Sequence, residues 1–283
     1  MPSDDANSRL RPAPRFSVIV PTFGRPAFLG EALDSIRRQT CADFECLVVD
    51  DASPEPVELP FDDSRFSVLR HPTNRGPAAA RNTGLAAAVG HYVAFLDDDD
   101  LFGPHRLADA LQPLESSPIT VCVAWRVGSD GLIPLTVSGD IADSVLDATP
   151  PSICQTVVRR DVCPMFDETF PAGEDTEWWL RASRIGPVAA TSRPGCGRRT
   201  HDEVRLLHGS PARLAANLRL LDEYSDYFAS HARAASFRWL RVGWQARDAG
   251  DRQLMWRSIR QSIAADASLR TAARVARLVV GRR

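Results

Sequence analysis

Apolar residues through the first hundred positions come in short, nearly unbroken runs, each stopped by a proline or by aspartates. Phe16–Val20 is β-branched-rich and closed by Pro21, which lacks an amide donor, so it predicts a buried parallel strand. Beyond the turn Thr22-Phe23-Gly24-Arg25-Pro26, Leu29, Ala32, Leu33 and Ile36 recur at helical spacing, and Ala27–Gln39 predicts a helix covering that strand. Phe44–Val49 predicts a second strand ending in Asp50-Asp51, Phe66–Leu69 a third, and Pro77–Val89 an alanine-rich helix. Tyr92–Leu96 predicts a fourth strand, running into Asp97-Asp98-Asp99-Asp100. Strands and helices alternating at this interval predict an α/β fold with a mainly parallel sheet and helices on both faces. Ligands of such sheets bind beyond the carboxyl ends of the strands, which is where Thr22, Asp51 and the four aspartates fall.

From Ile119 to Arg199 the pattern mixes short β-like runs, Ile119–Trp125 and Ser152–Val158, with loops. From about Ser210 it turns helical. Leu214, Leu218, Leu221 and Phe228 fall on one face, and Ala234–Ala246, Asp251–Ala264 and Leu269–Val280 are further helices.

Length and composition change this picture in three respects. With 283 residues, 44% of them hydrophobic, the chain can bury a substantial core and a smaller helical appendage, which excludes disorder throughout. Every basic residue is Arg, so a lysine Schiff base and a P-loop lysine are both excluded. Charge is uneven beneath a net −2: from Thr176 to Arg283 there are 20 Arg against 9 Asp plus Glu. That basic surface reads as a solvated helical face, with nucleic acid not expected as partner. The cysteines at 41, 46, 122, 154, 163 and 196 show neither a C-x-x-C pair nor zinc-site spacing, and are expected to be reduced and individually buried. Residues 1–15 are polar, without the apolar stretch of a signal peptide, and no run approaches the ~20 residues that span a bilayer. A cytoplasmic location is expected.

Four consecutive aspartates repel one another by roughly 1–4 kcal/mol per pair, and a cation relieves this. Carboxylates suit Mg²⁺ or Mn²⁺, and alternate residues Asp97 and Asp99 can face one ion that also ligates phosphates; the competing reading is a solvated acidic loop. Asp51 can accept from ribose hydroxyls or a base N–H, or serve as a turn or cap residue. Asn74-Arg75-Gly76-Pro77 opens a helix whose amides, with Arg81, can face an anion, the competing reading being an ordinary capped helix. Glu174-Asp175 precedes the aromatic segment Thr176–Arg181, so Asp175 is placed as a general base, or both acids simply complement a helix dipole. Of Trp178 and Trp179, one can stack on a sugar and the other is core. Arg198-Arg199-Thr200-His201 offers cationic donors and an imidazole, although a lone His is more often structural.

Taken in order, Ser17–Arg25, Val48–Ala52, Gly76–Gly84, Phe95–Asp100, Gly173–Asp175 and Arg199–His201 resemble the motifs of the family 2 glycosyltransferases, which have the GT-A fold. The resemblance covers about the first 200 residues and none of the helical tail. It implies a catalytic domain 16–205 (nucleotide-binding half 16–100, acceptor half 101–205), to which composition and periodicity add a flexible segment 1–15 and a helical region 206–283. It further implies that Pro21, Thr22, Phe23, Arg25, Asp51, Gly76, Arg81, Asp97 and Asp98 hold a nucleoside-diphosphate sugar. Asp97, Asp99 and His201 would hold a divalent metal, with Asp98 and Asp100 as alternatives in register. Asp175, with Glu174, would deprotonate the acceptor hydroxyl for an inverting transfer. The acceptor would be a sugar or lipid-linked, and the basic Leu269–Arg283 would either rest on a membrane or pack in the helical bundle. A sugar-phosphate nucleotidylyltransferase is disfavoured by the lack of lysine and of a glycine-rich phosphate loop. A non-catalytic nucleotide- or carbohydrate-binding scaffold is disfavoured by the retained acids.

Overall fold

The computed structural model describes residues 13–135, 137–199 and 210–280. Its main sheet has seven strands in the order β10-β6-β9-β4-β1-β2-β3. The strands are β1 (Phe16–Thr22), β2 (Phe44–Asp50), β3 (Phe66–Arg70), β4 (Tyr92–Phe95), β6 (Ile119–Val121), β9 (Thr156–Arg159) and β10 (Val188–Ala190). β1 to β4 are parallel, as their burial and spacing predict, while β9 runs antiparallel to both β4 and β6. A smaller sheet, β5-β11-β7-β8, is made of Leu101–Phe102, Cys196–Arg198, Ala124–Arg126 and Leu132–Ile133.

Pro21 does not end its strand. Leu96 N donates to Ile19 O, so odd-numbered residues of β1 face β4, but β4 pairs only as far as Ile19. The donor that Pro21 lacks therefore points past the end of β4, and β1 continues to Thr22 against β2.

Alternation in β1 sends side chains to two cores. Val18 and Val20 pack with Leu29, Leu33 and Ile36 of α1 (Pro26–Arg37) and Leu107 of α3 (Arg106–Leu114). Ile19 joins Phe95 and Leu85 of α2 (Gly76–Ala87), together with Trp178 of α4 (Glu174–Ala182). Helix α2 lies close on the sheet because Gly84 faces Ile19: a Cβ there would stand 2.5 Å from Ile19 Cγ2. Trp178 and Trp179 are both fully buried, with their indole N–H groups donating to Pro164 O and Pro151 O at 2.8 Å, so neither is free to stack on a sugar.

The run Ile119–Trp125 is not one strand. It divides at Cys122, whose carbonyl accepts from Gln155 Nε2 at 2.8 Å, and its two halves enter different sheets. Cys154 and Cys196 meet with their sulfurs 3.5 Å apart, so these thiols are clustered, contrary to the expectation of individual burial.

After residue 209 the chain is helical: α5 (Pro211–Glu223), α6 (Ser225–Ser230), α7 (Ala232–Asp248), α8 (Arg252–Ala265) and α9 (Leu269–Val280). Leu214, Leu218, Leu221 and Phe228 join the core that holds Trp178, although Phe228 lies on α6, beyond a break at Tyr224. Leu278 of α9 is buried among Leu240, Met255 and Ile259, which makes α9 a bundle helix, while Val279 and Val280 are exposed. No helix of the described residues is long and apolar enough to cross a membrane.

Candidate active site at the strand ends

The four aspartates follow β4 in a turn closed by Asp100 N donating to Asp97 O at 3.0 Å, and they alternate in exposure. Asp97 and Asp99 are half-exposed, whereas Asp98 and Asp100 are buried. Asp98 accepts from Thr22 Oγ1 at 2.7 Å and lies 3.6 Å from Arg25. Burial pushes its carboxyl up to about 6. Asp100 accepts the Arg199 amide at 3.0 Å, and burial, with the neighbouring Asp97 and Asp99 charges, pushes it up to about 7. The inner pair is thus buried in the fold, and the outer pair is more exposed, with Arg81 on Asp97 and Arg25 on Asp99.

Arg81 joins the two acidic motifs. Buried on α2, it donates to Asp97 and to Glu174, each at 2.7 Å. Burial alone would lower its pKa, but the two carboxylates outweigh this and raise it. Its guanidinium lies 5.4 Å from the Phe166 ring centroid, and the Phe166 backbone is fixed on both sides by the Asn82 amide. Glu174 and Asp175 open α4 behind Gly173, which takes the left-handed φ of 70° that the sharp entry requires. Asp175 is half-buried, and its Oδ1 accepts the Thr176 amide at 2.7 Å. Burial and the adjacent Glu174 raise its pKa, which makes it a stronger base than a solvated carboxylate.

On the other side of β1, a cleft of about 740 Å³ is bordered by Thr22, Gly24, Arg25, Ser53 and Pro54, at the ends of β1 and β2. Asp51 accepts from the Arg75 and Gly76 amides at 2.9 and 2.7 Å and pairs with His71 at 2.7 Å. It therefore anchors the turn that starts α2, the turn-or-cap role considered from sequence. Pro21 and Thr22 are buried in β1, and Phe23 stands exposed above it. Arg25 donates to Asp99 at 2.9 Å.

His201 lies outside the described residues. Among the described residues no group of three or more His, Cys, Asp or Glu is arranged to hold a metal. Asp97 and Asp99 are hard-oxygen groups of the kind that Mg²⁺ or Mn²⁺ takes, and here they are held by Arg81 and Arg25 respectively. Sequence reasoning missed His71 and the Arg199 amide, because only the fold brings either to an acid.

A Rossmann-like sheet with acids at its strand ends, backed by an acidic helix start, defines the GT-A class. The solved structures agree on the fold: Staphylococcus aureus TarS 1–349 in complex with UDP-GlcNAc matches with a TM-score of 0.64 at 19% identity, covering 92% of this chain and 84% of that one. The Pyrobaculum calidifontis mannosyltransferase PcManGT, in complex with GDP-Man and Mn²⁺, matches with a TM-score of 0.60 at 20% identity, covering 95% and 80%. Residues 17–142 match Glycosyl transferase family 2. An uncharacterized glycosyltransferase of Haemophilus influenzae is 40% identical over 103 residues, which is 36% of this chain and 35% of the relative. The chain spans about a third of the length of the first curated relatives it matches.

Proposed function

We propose that the chain transfers a sugar from a nucleoside-diphosphate sugar to an acceptor hydroxyl, with inversion, in the synthesis of a polysaccharide or glycoconjugate. The observation that carries this reading is the Arg81 bridge, which holds Asp97 beside Glu174 and so sets the strand-end acids next to the acidic start of α4. The relatives support the glycan setting: one is the UDP-Glc:α-D-GlcNAc-diphosphoundecaprenol β-1,3-glucosyltransferase of Escherichia coli, 37% identical over 94 residues, 32% of this chain and 37% of that relative.

In this reading the nucleoside lies in the cleft beside Thr22 and Ser53, with Arg25 near the diphosphate. Asp97 and Asp99 would hold Mn²⁺ or Mg²⁺, with His201 as a further ligand. When bound, the ion offsets the charge that develops on the departing diphosphate. Asp175 takes the proton of the acceptor hydroxyl. The hydroxyl oxygen then bonds to the anomeric carbon as the bond from that carbon to the diphosphate oxygen breaks on the opposite face. The nucleoside diphosphate leaves, and one displacement inverts the centre. The acceptor is a sugar or lipid-linked glycan; α9, with Arg270, Arg274 and Arg277 and exposed Val279 and Val280, is suited to rest at an anionic membrane surface.

The test is a thermal-shift screen of UDP, GDP, dTDP and their sugars with and without Mn²⁺, on the wild type and Asp99→Ala. One nucleotide should stabilise the wild type in a metal-dependent way, by about 2.7 kcal/mol at a hundredfold excess over Kd, and the variant should lose this. No nucleotide effect at all would sink the reading.

A further inference from the structure

At about 3.6 residues per turn, the residues of α9 fall on three faces. Thr271 and Leu278 are buried against the bundle. Arg270, Arg274 and Arg277 form a flank beside them. Leu269, Ala272, Ala273, Ala276, Val279 and Val280 share the outward face, all of them exposed, and no polar side chain interrupts it. A helix packed on a soluble bundle ordinarily turns polar residues to water, so an outward face of this kind matches an apolar neighbour. Between the arginine flank and α7 runs a groove of about 330 Å³, at the lower end of the roughly 300–1,000 Å³ that ligand pockets occupy. Phe237, Leu240 and Trp244 give it apolar walls, and Arg274 and Arg277 bound it on the α9 side. Among the described lining residues the one carboxylate is Asp248, which already meets Arg247 at 2.9 Å. The Arg274 guanidinium lies 5.1 Å from the Phe237 ring centroid, so charge and apolar surface meet at the edge of the groove. Partial burial, and then the charges of Arg270 and Arg277, lower the Arg274 pKa. These cations repel one another, and an anion among them relieves the repulsion.

We infer that this groove holds one acyl chain of an anionic phospholipid, with the lipid phosphate on Arg274 and Arg277 and the outward face of α9 in the same leaflet. The site rests on the membrane placement of α9 proposed above, names the lipid, and stands apart from the sugar-transfer chemistry. Charge complementarity selects a lipid over a second copy of the chain. An anionic headgroup layer opposes the arginines with unlike charge, whereas a two-fold contact through α9 would bring the same arginines to the interface from both sides. The groove adds burial of methylene groups to that attraction, and guanidinium forks fit phosphate oxygens.

Dihexanoylphosphatidylglycerol, kept below its micelle concentration, is titrated calorimetrically into the full chain. Dihexanoylphosphatidylcholine is the control without net charge, and glycerophosphoglycerol the control without chains. The anionic lipid should bind, and each control at least about tenfold more weakly. Arg274→Gln/Arg277→Gln should weaken the anionic lipid about tenfold or more while its unfolding midpoint stays that of the wild type. In flotation the chain should rise with phosphatidylcholine vesicles that contain phosphatidylglycerol, and Leu269→Gln/Val280→Gln, altered only at exposed positions, should rise less. Affinity unaltered in the arginine variant, or equal for the choline lipid or the chainless head, would overturn the inference. So would a concentration-dependent dimer in sedimentation that Leu269→Gln/Val280→Gln dissolves while the lipid titration stays flat. Failure of the nucleotide thermal-shift screen counts against sugar transfer and leaves the lipid result standing.

Discussion

Around the strand ends, several of the acids have a cation or backbone amides of the chain against them. Asp50 rests against Arg70 and the Ser53 and Val57 amides, Asp51 against His71 and two amides, and Asp97 and Glu174 share Arg81. On the side built with α5 and α7, Arg238 is as deeply buried as Arg81 and has a neutral amide where Arg81 has two carboxylates. The difference teaches how each charge is held. A buried guanidinium between two carboxylates is set by the fold itself, whereas Arg238 is held through one hydrogen bond to a neutral amide and keeps its Nε without a partner.

The sharpest break of this comparison falls where the two regions touch. Asp175→Asn should lower kcat by about 10²–10⁴-fold, the range of a general base, while the nucleotide thermal shift survives. Normal turnover would remove Asp175 from the chemistry. Next, Arg81→Met leaves Asp97 and Glu174 without their shared cation, and urea unfolding should show a loss of about 3–5 kcal/mol. A loss under 1 kcal/mol would mean that solvent already carries those charges. Asp50→Asn should cost about 1–3 kcal/mol at pH 7, because buried donors lose a charged acceptor. Although burial alone would raise it, hydrogen bonds from Ser53, Val57 and Arg70 hold the Asp50 pKa below its ordinary 3.8. Its stabilisation is therefore present above that value and lost as pH falls through the lower folded one. The gap between wild type and variant should close in acid; a gap that stays constant with pH would show that packing, not charge, is responsible.

How much of this was legible in the sequence follows the same division. β1 to β4 and their helices come from local periodicity and from acids placed directly at strand ends, so the run read from Phe16 to Asp100 is recovered with shifts of a few residues at the ends. The small sheet was not legible, because β5 and β8 have two residues each and β11 pairs in parallel with β7, far away along the chain. The acids could be named, but not their states. That Asp98 turns inward to Thr22 depends on a partner 76 positions away, and that Arg81 reaches Glu174 depends on one 93 positions away. Arg238 carried no signal at all. One arginine on a helix rich in them becomes conspicuous only when packing shows what is missing around it.

The Arg81 bridge also makes the two sides of the site thermodynamically reciprocal. One guanidinium serves Asp97 with one nitrogen and Glu174 with another. Anything that draws Asp97 toward a new cation releases that hold and leaves the full charge of Arg81 to Glu174. The free energy with which occupancy at Asp97 changes the setting of Glu174 must equal that with which a change at Glu174 alters affinity at Asp97. Order of binding can then emerge from a shared counter-ion, with no moving lid and no rearranged helix.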